Sequence, residues 1–273
     1  MNERRHSSGQ AMVEFGIIVF VLLLLILGTL QFALIYHAKI QLNYAAFETA
    51  RAGALNNARM WAMELAFARA MAPLYTTPYL DDDCNGISYA FDASPEPAGG
   101  VDRPTDVPFD LDHVKCARQR VRDMVNDGLV RITLVNPGPA SFSDHGYLGA
   151  DGAEVIPNDN LMYRSAIVRA DSGQSVQDAN LIKVHVGFCY ELIVPLVDQM
   201  IARMIAEPPS GLQPENFGEP IANSFAATCV AARKPNGEAR DGIPLYAQAV
   251  MRMQSDPIRD TFCGGDCPDG GSP

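Results

Sequence analysis

The sequence lacks the patterns that most often mark an enzyme or a nucleic-acid-binding protein. It contains no G-x-x-x-x-G-K-[ST] phosphate loop, no H-E-x-x-H metal motif and no G-x-S-x-G nucleophile elbow. Its five histidines are scattered and do not stand in ligand spacing with cysteine. Basic residues are also scarce: 21 Lys and Arg stand against 32 Asp and Glu, and a net charge of −11 repels a phosphate backbone. We therefore expect a non-enzymatic protein that does not bind nucleic acid.

Long apolar runs are almost absent as well, because the 273 residues contain only one, from Phe15 to Tyr36. A single run excludes a polytopic transporter. As a helix its 22 residues cover about 33 Å, which is enough for a hydrocarbon core of about 30 Å. The run is too long for the apolar region of a cleaved secretory signal, and no small-x-small site follows it. It predicts a transmembrane anchor.

Charges and cysteines predict how this anchor is oriented. Residues 1–80 carry six basic and four acidic side chains, whereas the remainder carries 15 basic and 28 acidic ones. Arg4 and Arg5 precede the run and favour a cytoplasmic N-terminus, although Lys39 and Arg51 on the other side reduce the asymmetry. An even number of cysteines on one side of a membrane is typical of an oxidising compartment. All six follow the run: Cys84, Cys116, Cys189, Cys229, Cys263 and Cys267.

These cysteines predict disulfide bonds without defining their connectivity. Six thiols allow about 15 pairings, and the sequence does not choose among them. For the segment Cys263-Gly-Gly-Asp-Cys267 a structural disulfide is favoured over zinc, because no histidine and no second close cysteine pair lies nearby. The alternative for the whole set is six reduced cysteines in a cytosolic domain.

One acidic residue, Glu14, stands at the start of the apolar run. A carboxylate at the edge of an apolar helix costs about 3 kcal/mol and usually serves a partner. If the chain is cut after Gly9, Gln10 becomes a new amino terminus and Glu14 its fifth residue. The positive terminus of one subunit could then neutralise Glu14 of a neighbour. The alternative is an interfacial Glu14 whose side chain reaches the lipid headgroups.

The residues around Glu14 resemble the class III signal of type IV pilins. That signal has a basic leader, a glycine before the cut, a glutamate five residues on and a long apolar helix. Together with the alanine-rich segment of residues 44–54, residues 4–55 resemble TadE-like proteins, which are minor pilins or pseudopilins of the tight-adherence (Flp, type IVc) pilus. The residues that carry the signal here are Arg4, Arg5, His6, Gly9, Gln10, Glu14 and Phe15.

The resemblance implies sites, partners and a location. Cleavage by a prepilin peptidase would fall between Gly9 and Gln10, and Glu14 and Phe15 would act in assembly. The implied partners are other pilins and pseudopilins of the same system, an inner-membrane assembly platform and membrane lipid. The implied location is the bacterial inner membrane, crossed once, with the N-terminus cytoplasmic and the C-terminal domain periplasmic or in an extracellular pilus.

We expect an α+β fold in four segments. These are a leader over residues 1–9, a transmembrane helix over 10–36, a helical stalk over 37–73 and an exported, disulfide-stabilised domain over 74–273. Residues 12–72 are predicted as one long, kinked helix that Pro73 and Pro78 end. The stalk carries a small-residue seam that permits close packing of another helix or a sheet. A solvated stalk with an ordinary packing face is the alternative. The seam consists of Leu42, Ala45, Ala46, Thr49, Ala52 and Gly53.

The exported domain is predicted to combine small helices with an antiparallel sheet. Helices are predicted over Asp112–Asn126, with Gly128 past the end, and over Val194–Ile205. Strands are predicted over Val130–Val135, Leu181–Tyr190 and Leu245–Gln254. The middle strand alternates, with one apolar face formed by Ile182, Val184, Val186, Phe188 and Tyr190.

One acidic loop resembles a calcium site. Residues 81–92 place oxygen-bearing residues at positions of an EF-hand loop, with Gly86 for the sharp turn. Calcium is therefore the one cofactor that the sequence suggests. The last ligand position holds Asp rather than a bidentate Glu, and an acidic turn ended by Asn-Gly is the alternative. The candidate ligands are Asp81, Asp83, Asn85, Ile87 and Asp92.

The sequence predicts a minor pilin or pseudopilin that takes part in assembly or initiation of a Flp or type IV-like pilus. The rival is a membrane-anchored periplasmic binding or adhesion protein that uses the helix only as an anchor. A TadG-like protein with a metal-dependent adhesion domain is disfavoured, because Asp92-Ala93-Ser94-Pro95 lacks the second serine of the D-x-S-x-S motif.

Overall fold

A computed structural model describes residues 8–76, 112–149, 152–194, 197–206, 225–231 and 242–259. Over these residues the chain has the predicted α+β architecture. The helices are α1 (Ser8–Leu55), α2 (Met60–Tyr75), α3 (Asp112–Asn126), α4 (Pro139–His145), α5 (Val176–Ala179), α6 (Val197–Ala206) and α7 (Phe225–Ala231). The strands are β1 (Val130–Asn136), β2 (Tyr147–Leu148), β3 (Glu154–Val155), β4 (Leu181–Glu191) and β5 (Gly242–Arg252).

The main sheet has three antiparallel strands in the order β1-β4-β5. All three were predicted, and the antiparallel pairing is confirmed. The alternation in β4 arises because successive side chains of a strand point to opposite faces, so one face can be apolar throughout. The predicted apolar face is buried at every position, namely Ile182, Val184, Val186, Phe188 and Tyr190.

The prediction of one helix over residues 12–72 is wrong. The helix breaks after Leu55, where Asn57 and Ala58 adopt left-handed backbone angles, with φ of 58° and 60°. Distant residues hold this turn: the Asn57 backbone N–H donates to Ser255 Oγ, and Asn57 Nδ2 donates to the carbonyl of Asp256, each at 2.8 Å. The chain then turns back as α2, which packs against α1.

The segment predicted as a stalk, residues 37–73, is therefore not a separate stalk. It forms a helical hairpin on the sheet, and its residues make up much of the core. Pro73 does not end the helix either, because α2 runs through it to Tyr75.

The small-residue seam of α1 packs against the sheet and α2. The prediction of a close-packing seam is therefore confirmed over the alternative of a solvated stalk. Leu42, Ala45, Ala46 and Thr49 have no exposed surface. Gly53 permits this close approach, since a Cβ there would lie 2.5 Å from Ile182 Cδ1 and 2.9 Å from Met63 Sδ and would force these side chains to shift. The seam therefore lets the helix backbone come within contact distance of β4.

Helix α3 ends as its sequence predicted. Gly128 takes a left-handed φ of 72°. The Leu129 N–H donates to the Met124 carbonyl at 2.8 Å and the Gly128 N–H to the Val125 carbonyl at 3.1 Å. This is a Schellman motif, in which glycine avoids the Cβ penalty of the left-handed region. It delivers the chain directly into β1.

The opposite face of the sheet is covered by α7, an element that the sequence analysis did not predict. Phe225 lies over Gly187, where a Cβ would be 2.8 Å from the ring. Beside it, Cys189 on β4 and Cys229 on α7 form a disulfide with a Cα–Cα distance of 5.5 Å. Cys116 is disulfide-bonded too. The predictions for Cys84, Cys263 and Cys267 lie outside the described residues.

Two contacts define the direction of α1 along the sheet. Lys39 Nζ donates to the carbonyl of Tyr246, near the start of β5. The Gln254 N–H, just past the end of β5, donates to the Ala54 carbonyl at 2.9 Å. Helix α1 therefore runs alongside β5 in the same direction. We call the residues from Gln31 onward the head, the end where α1 enters it the proximal end, and the end at the α1–α2 turn the distal end.

A second, smaller core lies at the distal end. It holds the segment between α4 and β4 against the residues that follow β5. Asn158 N–H donates to Asp256 Oδ1 at 2.8 Å, and Asn180 Nδ2 donates to the Pro157 carbonyl at 2.9 Å. The residues of this core are Phe142, Ile156, Leu161, Val176 and Ala179.

Candidate functional site

The N-terminal half of α1 leaves the head as a bare apolar helix. Phe15, Ile17 and Leu25 are each more than 60 % exposed. Among the described residues one helix is long and apolar enough to cross a membrane, over Met12–Leu55, with a mean hydropathy of 2.8 in its most apolar window. The predicted transmembrane run lies inside it.

The predicted processing and assembly residues all lie on this one helix. Gly9 and Gln10 stand in its first turn, and Glu14 and Phe15 follow about one turn later, both exposed. The structure thus places the four residues at the end of α1 farthest from the head. The predicted calcium ligands Asp81, Asp83, Asn85, Ile87 and Asp92 lie outside the described residues.

Gln31 marks the point where α1 meets the head, and the sequence analysis gave it no role. Its side chain is fully buried although it stands within the apolar run. Gln31 Oε1 accepts hydrogen bonds from the backbone N–H of Val194 at 2.9 Å and of Ile193 at 3.3 Å. A buried backbone donor without a partner costs about 1–3 kcal/mol. Gln31 therefore fastens the segment after β4 to α1.

Beyond Gln31, α1 has two unlike faces. One is the buried seam. The other carries exposed apolar and aromatic side chains that recur every three or four residues, the spacing of one helix face. The exposed fraction of these side chains ranges from 68 % at Tyr36 to 46 % at Phe47, so the whole row is open. We call this row the outer stripe: Phe32, Tyr36, Ile40, Tyr44 and Phe47.

Polar contacts on the flanks of α1 set its rotation, so that the outer stripe faces away from the head. On one flank Lys39 binds the Tyr246 carbonyl, and partial burial of its ammonium group lowers the Lys39 pKa. On the other, Gln41 Nε2 donates to the Ala70 carbonyl at 2.5 Å. The first bond joins α1 to β5 and the second joins it to α2, so together they resist rotation of the helix.

The distal end contains a cavity of about 410 Å³, lined in part by Asp144, His145, Arg164 and Arg169. Asp144 Oδ2 accepts from the Ser172 N–H and Oγ, both at 2.7 Å, and these bonds lower the Asp144 pKa. Arg164 pairs with Asp159 at 2.5 Å. Among the described residues no three His, Cys, Asp or Glu side chains are grouped as metal ligands. The cavity contacts hold the loop before α5 in place.

The described residues together define a class: an α+β head carried on one N-terminal helix that is long and apolar enough to cross a membrane. Within this class, residues 9–51 match the family model of TadE-like proteins. The matched segment contains Gly9, Gln10, Glu14 and Phe15, the span and most of the seam. The resemblance seen in the sequence is therefore confirmed over the N-terminal helix. No curated protein and no solved structure matches the chain.

The match suggests where this kind of protein acts. TadE-like proteins are membrane-anchored, and the match over residues 9–51 suggests involvement in a tight-adherence pilus system. The matched residues end within α1, so the remainder of the head has no counterpart in the comparison.

Proposed function

We propose that this chain is a minor pilin or pseudopilin, a non-enzymatic subunit that takes part in assembly or initiation of a tight-adherence pilus. The observation that carries the proposal is the outer stripe of α1. It is continuous with the membrane-length part of the helix and remains uncovered by the described residues of the head.

Lipid does not account for the whole stripe. Phe47 is 16 residues past Gln31, which on a helix is about 24 Å further from the membrane. Exposed apolar surface costs about 25 cal/mol per Å², and a continuous apolar row marks an interaction site. Another helix laid along α1 beyond the bilayer covers the part of the stripe that lipid does not reach. The proposed partners are therefore other pilins and pseudopilins of the same system.

Glu14 supplies the second contact of the proposed assembly. Cleavage by a prepilin peptidase between Gly9 and Gln10 would place an ammonium group on the same helix end. At about 4 Å and an effective dielectric constant of about 20, two opposite charges attract by about 4 kcal/mol. That pairing offsets the cost of a carboxylate at the edge of an apolar helix, and Phe15 beside it would pack against the same neighbour.

The proposal includes a topology. The N-terminus is cytoplasmic, the helix crosses the bacterial inner membrane once, and the head is periplasmic or carried into an extracellular pilus. The basic residues before the span support this orientation. The Cys189–Cys229 disulfide supports it as well, because such bonds persist in oxidising compartments.

Analysis of the mature N-terminus tests processing. The chain is extracted from membranes of cells that make the whole pilus system, and its terminal peptide is determined by mass spectrometry. A terminus at Gln10 is expected. An intact Met1 in cells with functional pili would contradict the proposal, since Glu14 would then lack the proposed ammonium partner.

Replacing Glu14 tests assembly. We expect Glu14→Ala to insert in the membrane at least as well as the wild type, since a charge is removed, but to be lost from the pilus fraction. Glu48→Ala is the matched control, because Glu48 lies on the same helix beyond the span and forms a local ion pair with Arg51 at 3.7 Å. Normal incorporation of Glu14→Ala would remove its proposed role and favour a protein that uses α1 only as an anchor.

A further inference from the structure

We propose that the proximal end of the head is a membrane-docking surface that inserts into the outer part of the lipid bilayer. This surface consists of residues 192–194 and the first part of α6, residues 197–201. The inference requires that α1 spans the membrane, but it does not depend on the assembly role proposed above.

The length of the span indicates where α1 leaves the hydrocarbon core. Glu14 is the first charged residue on the N-terminal side of the apolar run, and Gln31 follows 17 residues later. That separation is about 25 Å along a helix, whereas the hydrocarbon core is about 30 Å thick and tilting makes the required helix longer. With Glu14 at one boundary, the other boundary lies beyond Gln31, close to Leu34.

The hydrogen bonds of Gln31 place the proximal end of the head at this boundary. Because Oε1 accepts from the N–H groups of Ile193 and Val194, this segment lies at the depth of Gln31. Helix α6 begins three residues later and also contacts α1. The proximal end of the head therefore lies at the level where the hydrocarbon gives way to headgroups.

The side chains of this surface fit that depth. Leu192, Val194 and Val197 are buried and fill the core of the head at this end. Ile193 and Met200 nevertheless point outward, with 67 % and 55 % of their surface exposed. Interfacial segments bury their apolar side chains about 5–10 Å into the headgroup and acyl boundary.

Lipid is the occupant that the surroundings favour. On α1 itself, Phe32 and Tyr36 lie just past Gln31 and are 65 % and 68 % exposed. Aromatic side chains of this kind are enriched where a membrane helix leaves the hydrocarbon. Ile193 is tied to the same turn of α1, so a bilayer that contacts these rings also contacts Ile193. The docked segment would hold the head upright against the membrane and limit its rotation about α1.

Depth-dependent fluorescence quenching tests this placement in the full chain. In a Trp61→Phe background, single tryptophans are introduced by Ile193→Trp or Met200→Trp. Val21→Trp in the middle of the span is the positive control, and Met162→Trp, 87 % exposed at the distal end, is the negative control. Each variant is reconstituted in phosphatidylcholine vesicles whose acyl chains are brominated near either the headgroup or the terminal methyl.

We expect the tryptophans at 193 and 200 to be quenched more by bromines near the headgroup than by deep ones. The order should be reversed at position 21, and quenching should be absent at position 162. If 193 and 200 behave like 162 while 21 is quenched, the docking surface is refuted and the anchor stands. If 21 is not quenched either, the helix does not span the bilayer, and both the anchor and the docking surface are wrong.

Discussion

The two halves of α1 belong to one uninterrupted helix but meet opposite surroundings. Leu30 in the first half is 54 % exposed, whereas Leu42 in the second half has no exposed surface. The first half is built from large aliphatic side chains and the second from alanine, glycine and threonine on its inner face. Large aliphatic side chains pack well against lipid acyl chains, whereas small side chains let a helix backbone approach a sheet closely. A single helix can thus serve as an anchor and as the central element of a folded head.

Truncating one leucine in each half should give the largest contrast. We expect Leu42→Ala to lower the free energy of unfolding of the head by about 2–5 kcal/mol, because it leaves a cavity between α1 and the sheet. Leu30→Ala should leave that free energy unchanged, since Leu30 does not contribute to the head core. Denaturation of both variants in the same detergent, followed by near-ultraviolet circular dichroism, measures the difference. Equal losses would mean that the two halves are not distinct.

Removing the Cys189–Cys229 disulfide should affect only the head. The bond joins residues 40 apart, and loss of a disulfide typically costs about 2–4 kcal/mol because the unfolded chain gains freedom. The double variant Cys189→Ser and Cys229→Ser should therefore unfold at a lower denaturant concentration. Its membrane insertion, measured by carbonate extraction, should match the wild type. Loss of insertion would show that the anchor depends on the fold of the head.

Gln31 joins the two halves, and its replacement should have an intermediate effect. Gln31→Leu removes the acceptor for the N–H groups of Ile193 and Val194. It also removes Gln31 Nε2, which is buried without a hydrogen-bond partner among the described residues, so we expect a net loss of only about 1 kcal/mol. Faster amide hydrogen exchange at these two residues is the direct measurement. Thr29→Val is the matched control, because the Thr29 hydroxyl donates to the Ile26 carbonyl of its own helix. Unchanged exchange in Gln31→Leu would refute the role given to Gln31.

Acid should weaken the head slightly through Asp178, at the start of α5. Its carboxylate accepts from Ser175 Oγ at 2.6 Å and from the Ser175 N–H at 3.2 Å, and these bonds lower the Asp178 pKa below its ordinary 3.8. A lowered folded-state pKa stabilises the protein above pH 3.8, and the contribution is lost as the pH falls through the folded value.

Asp178 is solvent-accessible, so we expect Asp178→Asn to cost only about 0.5 kcal/mol at neutral pH. The denaturation midpoint of this variant should then fall less than that of the wild type when the pH is lowered from neutral to acid. Equal falls would assign the acid sensitivity to other carboxylates.

Much of this architecture could be predicted because it follows local rules. The alternation of β4 and the glycine after α3 each require only neighbouring residues to interpret, and both predictions were confirmed. The apolar span is equally local, since its length and composition alone are compatible with a bilayer.

The break between α1 and α2 could not be predicted in this way. Alanine favours helix, yet Ala58 takes a left-handed φ of 60°. Contacts nearly 200 residues away in the chain hold the turn, such as Asn57 with Ser255 and Asp256. Tertiary hydrogen bonds therefore override local propensity at this point.

The candidate site was also predictable only in part. The residues around Glu14 form a short contiguous motif, so their resemblance to TadE-like proteins was visible. The outer stripe requires knowledge of which face of α1 the head covers, and Gln31 requires knowledge of which residues lie beside it. Both depend on the packing of α1 against β4, β5 and the segment after β4.

Photo-crosslinking at Phe47 tests the central claim, that the outer face of α1 is a subunit interface, most directly. Phe47 is replaced by a benzophenone amino acid in cells that produce the whole pilus system, and Arg69, exposed on α2, is replaced as the control. We expect a crosslink at 47 to a second copy or to another pilin-type subunit, identified by mass spectrometry, and little crosslinking at 69. A protein adduct at 47 no more abundant than at 69 would contradict this claim.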